Sequence, residues 1–170
     1  MEFDAIAEKI QEALSPSDVE IHRDGPGDPF IVVPEALFRP LASFLRKAPD
    51  LSFDTLMCLS GVHVPLEDRD VMHTVYHLYS MVHRHRFVFK VRMEETEDGF
   101  VTDTSQDLWP AAEWFEREAF DLLGVFFLGN RFLRRFLLPQ DWEGNPLRRD
   151  YQEREVFRGI STTREKSCVF

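Results

Sequence analysis

The chain has 170 residues, of which 44% are hydrophobic, and a formal net charge of −10. This length is typical of one domain with a single sizeable core. The acidic balance argues against a nucleic-acid-binding protein, because such proteins need clustered positive charge. The two cysteines, Cys58 and Cys168, have no CxxC spacing, which favours reduced thiols in a cytosolic protein.

The charge is unevenly distributed along the chain. Residues 1–130 contain 24 acidic and 11 basic residues, whereas residues 131–170 contain 6 acidic and 9 basic ones, so the two parts carry −13 and +3. An acidic body with a basic tail fits the binding of a partner protein, but it also fits simple solubility. The charge alone leaves both interpretations open.

No stretch of the sequence predicts a membrane span. The longest apolar run, Leu122–Gly129, is far too short to cross a bilayer. The acidic N-terminus lacks the patterns of signal and transit peptides. We therefore expect a soluble protein, or one held at a membrane by a partner.

The first 30 residues predict a helix and a short strand. Apolar residues recur at helical spacing over residues 2–14, and Ser15-Pro16 ends that pattern. Val19–His22 follows as a candidate strand. The segment Asp24–Pro29 is dense in turn-forming residues and predicts a loop.

A β-rich run and a second helical pattern come next. Phe30–Val33 predicts a buried strand. Pro34 opens a helical pattern that Pro49 bounds, and Pro40 interrupts it. We expect either a kink or a new helix start at Pro40.

The middle of the chain predicts antiparallel strands. Phe53–Leu59 alternates as a largely buried strand, and Gly61 indicates a bulge or close packing. Val71–Val82 and Phe87–Met93 form a predicted hairpin with a basic tip at His83–Arg86.

Five of the six histidines lie in this region, at His63, His73, His77, His83 and His85. A zinc site needs three or four converging ligands. On a strand, His73 and His77 share a face but lie about 13 Å apart, and His83 and His85 likewise share a strand face. Polar or partly buried strand residues are therefore favoured over a metal site.

A central helix is predicted from about Pro110 to Leu123. Proline suits a first helical position, and Gly124 suits a left-handed helix end. Glu113 lies four residues before Arg117, a spacing that supports a helix. The helix also carries four carboxylates. The carboxylates are Glu113, Glu116, Glu118 and Asp121.

These carboxylates allow three interpretations. They could serve general acid–base catalysis or a carboxylate-bridged two-metal site. No histidine follows any of them at the spacing of a Glu-x-x-His motif, and no second helix repeats the pattern. We favour a solvated or partner-facing charged side of an amphipathic helix.

The same helix carries a family resemblance, which extends from about Trp109 to Tyr151. Glu116-Arg117-Glu118, Asp121-Leu122-Leu123, Arg134 and Leu138-Pro139 are similar to the signature of the thirty-kilodalton subunit, or C subunit, of respiratory NADH:quinone oxidoreductase (complex I). The segment Asp141–Tyr151 resembles the continuation of that pattern. The family usually has a histidine and a proline where this chain has Asn130 and Arg131. Asparagine is neutral, so the resemblance implies no cationic role there.

The resemblance implies a cofactor-free core subunit of the hydrophilic arm of a proton-translocating complex. It would lie beside the large quinone-site subunit, or D subunit, at the cytoplasmic face of the cell membrane. NADH, FMN, iron–sulfur clusters and quinone would be bound by other subunits. This agrees with a sequence that lacks a dinucleotide fingerprint, a nucleophile elbow and a cysteine set for an iron–sulfur cluster.

Two alternatives remain open at this point. The chain could be the equivalent subunit of a complex I-related membrane-bound hydrogenase or of a dehydrogenase with another electron donor. It could instead be a stand-alone metal-binding enzyme that uses His73, His77, His83 and His85.

The predicted fold is α+β, with a mixed, mainly antiparallel sheet of about four strands and packed helices. Residues 1–138 form the predicted domain, and residues 139–170 form an extended tail that docks on a partner. We predict no catalytic, metal-binding or cofactor-binding residues. The predicted partner-binding residues are Glu116, Arg117, Glu118, Asp121, Arg131, Arg134, Arg135, Trp142, Arg148, Arg149 and Tyr151. For Glu116 and Arg117, an internal salt bridge that ties the helix to the following loop is the alternative.

Overall fold

The structure is a computed structural model that describes residues 2–14, 19–25, 27–66 and 69–162. The predicted helix stop at Ser15-Pro16, the thiol of Cys168 and the end of the predicted tail lie outside these residues. No helix within the described ranges is long and apolar enough to cross a membrane.

A five-stranded mixed sheet forms the centre of the fold. Its strands are β1 (Glu20–His22), β2 (Phe30–Pro34), β3 (Thr55–Pro65), β4 (Asp70–Ser80) and β5 (His85–Glu94). The spatial order is β1-β2-β5-β4-β3, in which only β2 and β5 pair in parallel. The predicted α+β class with a mixed, mainly antiparallel sheet is confirmed, with one strand more than expected.

The hairpin of β4 and β5 follows from the alternation of buried apolar side chains with more polar ones along β5. Phe87, Phe89 and Val91 are buried on one face, and Phe89 stacks on its cross-strand partner Tyr76 with ring centroids 4.7 Å apart. The turn between the strands covers residues 81–84, so β4 ends two residues before the predicted Val82.

The prediction that His83 and His85 share a strand face is wrong, because His83 lies in that turn. The backbone turns over at Arg84, which has a positive φ of 53°. The two imidazole rings stack instead, with centroids 5.5 Å apart.

Two helices cover one face of the sheet. Helix α1 (Phe3–Ala13) buries Ile6, Ala7 and Ile10, as its periodicity predicts. A 3₁₀ turn at Glu35–Leu37 leads directly into α2 (Phe38–Lys47). Pro40 neither kinks nor starts α2, because it lies in the first turn, where backbone N–H groups have no helical partner. The buried residues of α1 and α2 join those of the sheet in one core.

A separate β-α-β unit holds the third helix. Strand β6 (Phe100–Asp103) pairs in parallel with β7 (Val125–Leu128), and α3 (Ala112–Leu123) connects them. The sequence interpretation did not include β7. Helix α3 begins two residues after Pro110, and it ends at Gly124, whose φ of +78° confirms the predicted left-handed end.

Helix α3 packs closely on β3 at Gly61. A Cβ atom on Gly61 would overlap the side chain of Leu123, which is 4% exposed. Of the two options that the sequence left open for Gly61, close packing is the one observed. The bulge in this strand lies earlier, between Leu56 and Cys58.

We predict that Gly61→Val lowers the free energy of unfolding by about 1–3 kcal/mol, because overfilled cores must shift side chains or backbone. Urea unfolding of the purified chain measures this change. Ser60→Val, at the exposed neighbouring position of the same strand, is the control. Equal stability of the Gly61 variant and the control would contradict close packing of α3 on β3.

After β7 the described chain continues to residue 162 without a further helix. Within the described residues, its only regular structure is a hairpin of two short strands, β8 (Val156–Phe157) and β9 (Ile160–Ser161). The division of the chain into a domain and a tail at residue 138 stays a prediction.

Candidate protein-interaction site

Glu116 lies inside the protein and joins three segments. Its side chain has no exposed surface. It accepts hydrogen bonds from Thr104 Oγ1 (2.6 Å), from Ser105 N and Oγ (2.7 and 2.9 Å) and from Asn130 Nδ2 (2.9 Å). Burial raises the pKa of the Glu116 carboxyl above its usual value, although these donors favour its charged form. Glu116 therefore holds both the turn before α3 and the segment after β7.

Asn130 has a defined structural role at the position where the family usually has histidine. Its Nδ2 donates to Glu116, and its Oδ1 accepts from the backbone N–H of Phe132 at 3.0 Å. The neutral amide thus links the buried carboxylate to the start of the segment that follows.

Asp121 holds the other end of that segment. Its Oδ2 accepts the successive backbone N–H groups of Phe136, Leu137 and Leu138 at 3.0, 2.8 and 3.0 Å, and Arg135 Nη1 donates to its Oδ1 at 3.0 Å. Burial alone would raise the pKa of Asp121, but the three N–H donors and Arg135 outweigh it and hold that pKa below its usual value. The carboxylate fixes the shape of a segment that has no secondary structure.

The expectation of a solvated charged face on α3 is wrong for Glu116 and Asp121, both of which are fully buried. Glu118 is exposed, as expected. Glu113 accepts from Gln106 Nε2 at 2.8 Å and makes no ion pair with Arg117. Glu116 and Arg117 do tie the helix to the following segment, through hydrogen bonds rather than through a salt bridge.

The guanidinium of Arg117 lies against two neighbouring aromatic rings. Its guanidinium carbon is 4.8 Å from the ring centroid of Trp114 and 4.7 Å from that of Phe136. Its Nε donates to the backbone carbonyl of Arg134 at 3.3 Å. Cation–π contacts of this kind stabilise a guanidinium at a protein surface.

Large apolar side chains of α3 and of the segment after β7 remain exposed. Trp114 is 57% exposed and Phe136 is 39% exposed, and their rings meet edge to face. Phe132 and Leu137, from the segment that Asn130 and Asp121 hold, are also exposed by about half. We call Trp114, Arg117, Phe132, Phe136 and Leu137 the α3 surface. Aromatic residues and arginine in such a combination are typical of protein interfaces.

The first part of the predicted tail is fastened to the end of α3. Leu147 N donates to the carbonyl of Leu122 at 3.0 Å. Asn145 Nδ2 donates to the carbonyls of Phe120 and Asp121 at 3.3 and 3.1 Å. These contacts satisfy helix-end carbonyls that would otherwise lack partners.

Arg148 and Arg149 anchor the next turn of the tail to the sheet. Arg148 lies over the ring of Phe100 and pairs with Asp150 at 2.9 Å, and this pairing raises the pKa of Arg148. Arg149 N donates to Nδ1 of the buried His63 at 3.1 Å. His63 therefore binds the tail through its imidazole.

The remaining predicted partner-binding residues are more open. Arg131, Arg134 and Arg149 have exposed side chains. Trp142 is half-buried and packs on Phe157, with ring centroids 4.9 Å apart. Tyr151 is half-buried, with its ring beside Gly144. A partner-binding role for all eleven residues stays a prediction, and for Glu116 and Asp121 it would be indirect, since they have no surface of their own.

The sequence interpretation missed four members of the α3 surface, namely Trp114, Phe132, Phe136 and Leu137. The available signal was the high phenylalanine content, with 9 of 16 phenylalanines in residues 100–170. That content indicates aromatic surface to be covered, but it does not show which rings remain exposed.

The histidines do not form a metal-binding group in the described part of the chain. No set of three or more His, Cys, Asp or Glu side chains there is arranged to hold a metal ion. His73 and His77 both lie on β4, as predicted. His83 and His85 contact the backbone carbonyls of Pro49 and Leu51 at 2.8 and 2.9 Å.

The fold is shared with two solved structures. A solved structure described as Nqo5, trypsin-resistant fragment 1–134, superposes with a TM-score of 0.61 at 27% identity over 75% of this chain and 98% of that one. A chain of a membrane-bound sulfane sulfur reductase, an archaeal respiratory membrane complex, has the same fold at 23% identity and a TM-score of 0.56.

Residues 31–156 match the family described as respiratory-chain NADH dehydrogenase, 30 Kd subunit, and the chain belongs to this family. The C subunit of NADH-quinone oxidoreductase from Chlorobium phaeobacteroides is 38% identical over 93% of this chain and 91% of its own length. The C subunit from Roseiflexus sp. is also 38% identical, over 85% and 81% of the two chains. Its counterpart in Chloroherpeton thalassium is longer, and 63% of it is matched at 36% identity. The predicted family is thus confirmed.

Proposed function

We propose that this chain is a structural and assembly subunit of the hydrophilic arm of a proton-translocating NADH:quinone oxidoreductase. Its partner is the quinone-site subunit, the large protein that lines the quinone pocket. NADH, FMN, iron–sulfur clusters and quinone are bound by other subunits, and this chain supplies no catalytic residue. The complex holds it at the cytoplasmic face of the cell membrane.

The α3 surface is the observation that carries this proposal. Two exposed aromatic rings lie against a buried arginine, and two fully buried carboxylates set the shape of the segment that carries one of them, Phe136. A chain that only had to be soluble would gain nothing from rigid exposed aromatic residues, whereas an interface uses them as anchors. Glu116 and Asp121 act from within, while Glu118, Arg131, Arg134 and Arg149 are placed to contact the partner.

The tail extends the proposed contact. Residues 139–170 contain six basic and six acidic residues and so carry no net charge, and Trp142 in the part fastened by Asn145 and Arg148 packs on Phe157. The net positive charge of residues 131–170 comes from Arg131, Arg134 and Arg135, which lie before the proposed boundary. The boundary at residue 138 therefore rests on the turn-rich sequence that follows Pro139.

The alternatives have less support. The relatives described above are named as C subunits of NADH-quinone oxidoreductase, which does not favour a membrane-bound hydrogenase. A stand-alone enzyme built on His73, His77, His83 and His85 would bind stoichiometric metal. Metal analysis of the purified chain tests that alternative.

Affinity purification of the tagged chain from gently solubilised native membranes tests the proposal. Co-purification of a quinone-site subunit with flavin and iron–sulfur subunits is the expected result. Recovery of the chain without partners would contradict the proposal, and recovery with a nickel-containing subunit would assign it to the hydrogenase relatives.

We predict that Trp114→Ala, Trp142→Ala or Arg134→Ala reduces the amount of assembled complex while the isolated chain stays folded. Removing an interface anchor weakens binding by about 2 kcal/mol or more, which corresponds to about thirtyfold. Met81→Ala is the control, because Met81 is an apolar side chain exposed by 65% in the β4–β5 turn. Circular dichroism of each variant checks folding. Loss of folding in step with loss of assembly would remove the interface interpretation.

A further inference from the structure

Arg117 differs from every other arginine in the described part of the chain. It is the only buried one there, with 6% of its surface exposed. Most of the others form ion pairs with carboxylates, as Arg39 does with Asp107 and Arg135 with Asp121. The arginines without such a pair are exposed or half-buried, so solvent can hydrate them. Arg117 combines burial with the absence of a carboxylate partner.

The carboxylates nearest to Arg117 along α3 are engaged elsewhere. Glu113, one turn before it, accepts from Gln106. Asp121, one turn after it, accepts from three backbone N–H groups and from Arg135. Neither carboxylate forms an ion pair with the guanidinium of Arg117.

The guanidinium has one open side. The rings of Trp114 and Phe136, whose centroids are 5.8 Å apart, lie next to each other against the guanidinium, and Nε is bonded to the carbonyl of Arg134. Among the described residues the two terminal nitrogens have no hydrogen-bond partner, and they are not fully enclosed, so they reach the surface. The planar, donor-rich edge is therefore held beside two exposed aromatic rings.

A buried charge without a counter-charge is unfavourable, and arginine keeps its charge at all physiological pH values. Two parallel N–H groups on a fixed guanidinium match the two oxygens of a carboxylate. The neighbouring aromatic rings would exclude water from one side of such a pair, which strengthens it.

We propose that Arg117 is the receptor for an acidic side chain, Asp or Glu, of the neighbouring subunit, which its terminal nitrogens bind in a two-pronged ion pair at the centre of the α3 surface. This inference rests on the proposed function and names the chemistry of one contact within it. Residues 1–130 carry a net charge of −13, so most of this domain repels an acidic side chain of a partner. Arg117 therefore specifies where such a side chain binds.

Arg117→Lys in the assembled complex provides a direct test. Lysine retains the charge and introduces a primary amine. A water-soluble carbodiimide then couples this amine to an adjacent carboxylate as an amide, and the carbodiimide takes up the elements of water as a urea. Mass spectrometry of the digested complex identifies the joined peptides. The expected product joins position 117 to an aspartate or glutamate of another subunit.

Arg117→Met measures the strength of the contact, because methionine can still pack against the two rings. We expect the affinity of the variant for the rest of the complex to fall by at least about thirtyfold. Arg84→Met is the control, since Arg84 is exposed in the β4–β5 turn, away from the α3 surface, and forms no ion pair among the described residues. Its effect on affinity should be smaller than that of Arg117→Met.

The outcomes separate this inference from the proposed function. A complex that assembles normally with Arg117→Met and yields no cross-link from position 117 to another subunit would overturn the inference alone. A wild-type chain that recovers no partner would overturn both. If Arg117→Met lowers the thermal unfolding temperature of the isolated chain, its loss of affinity no longer reports on the contact alone. The lysine variant then decides: a cross-link to another subunit supports the inference, and the absence of one overturns it.

Discussion

Replacing Asp121 with alanine is expected to lower the free energy of unfolding by about 3–5 kcal/mol, the largest effect predicted for this chain. The carboxylate is fully buried and accepts three successive backbone N–H groups. Its removal leaves these donors without an acceptor and leaves the charge of Arg135 without its partner. Asp121→Asn should cost less, because one amide oxygen remains.

Urea unfolding of the purified variants measures this effect. Glu118→Ala is the matched control, because it removes an exposed carboxylate from the same helix and should change stability by less than about 0.5 kcal/mol. The pH dependence gives a second check. Because the folded pKa of Asp121 is lowered, its contribution is complete above the unfolded value near 3.8 and is lost as the pH falls through the folded pKa. Equal stability of the Asp121→Ala and Glu118→Ala variants would contradict this role of Asp121.

Glu116 is expected to make stability depend on pH in the opposite direction. Burial places its folded pKa above the unfolded value of about 4.5. As the pH rises from there, the unfolded chain releases the proton first, so the native state binds more protons and stability falls until the folded pKa is passed. Glu116→Gln removes this dependence. Glu116→Ala should cost about 3 kcal/mol, since Ser105 and Asn130 lose their acceptor.

Unfolding experiments at a series of pH values between 4 and 8 separate the two carboxylates. The difference in unfolding free energy between Glu116→Gln and the wild type should change with pH above about 4.5, in favour of the variant. Glu113→Gln, a half-buried position one turn earlier, is the control and should show no such trend. A difference that is constant over this range would contradict a raised pKa for Glu116.

Much of the fold could be predicted because it depends on short-range patterns. Alternation in Phe87–Val91 predicts a strand with one buried face, and apolar spacing in residues 2–14 predicts α1. Gly124 marks the end of α3 because few other residues adopt a left-handed conformation easily. The boundaries were less predictable, since Pro110 and Pro40 allow a helix start without requiring one.

Pairing between distant segments was not predictable in this way. Strand β7 has only four residues, and it is a strand because β6 lies beside it after the helical crossover. The same limitation applies to His85, which the sequence pattern places in the hairpin tip but which begins β5, because the turn covers residues 81–84. Local propensity is weak for such short runs, and tertiary contacts decide their structure.

Amino-acid pattern alone therefore established the α+β class, the order of most elements and the family signature in residues 116–139, because each depends on periodicity or spacing along the chain. Only tertiary structure decided which charges of α3 face inward. Asp121 is buried because the segment after β7 folds back over the helix and supplies its hydrogen-bond donors. Glu116 is buried between that segment and the turn before α3, and both supply its donors. The same fold-back brings Phe136 against Arg117, a buried guanidinium without a carboxylate partner among the described residues, which no helical periodicity could show.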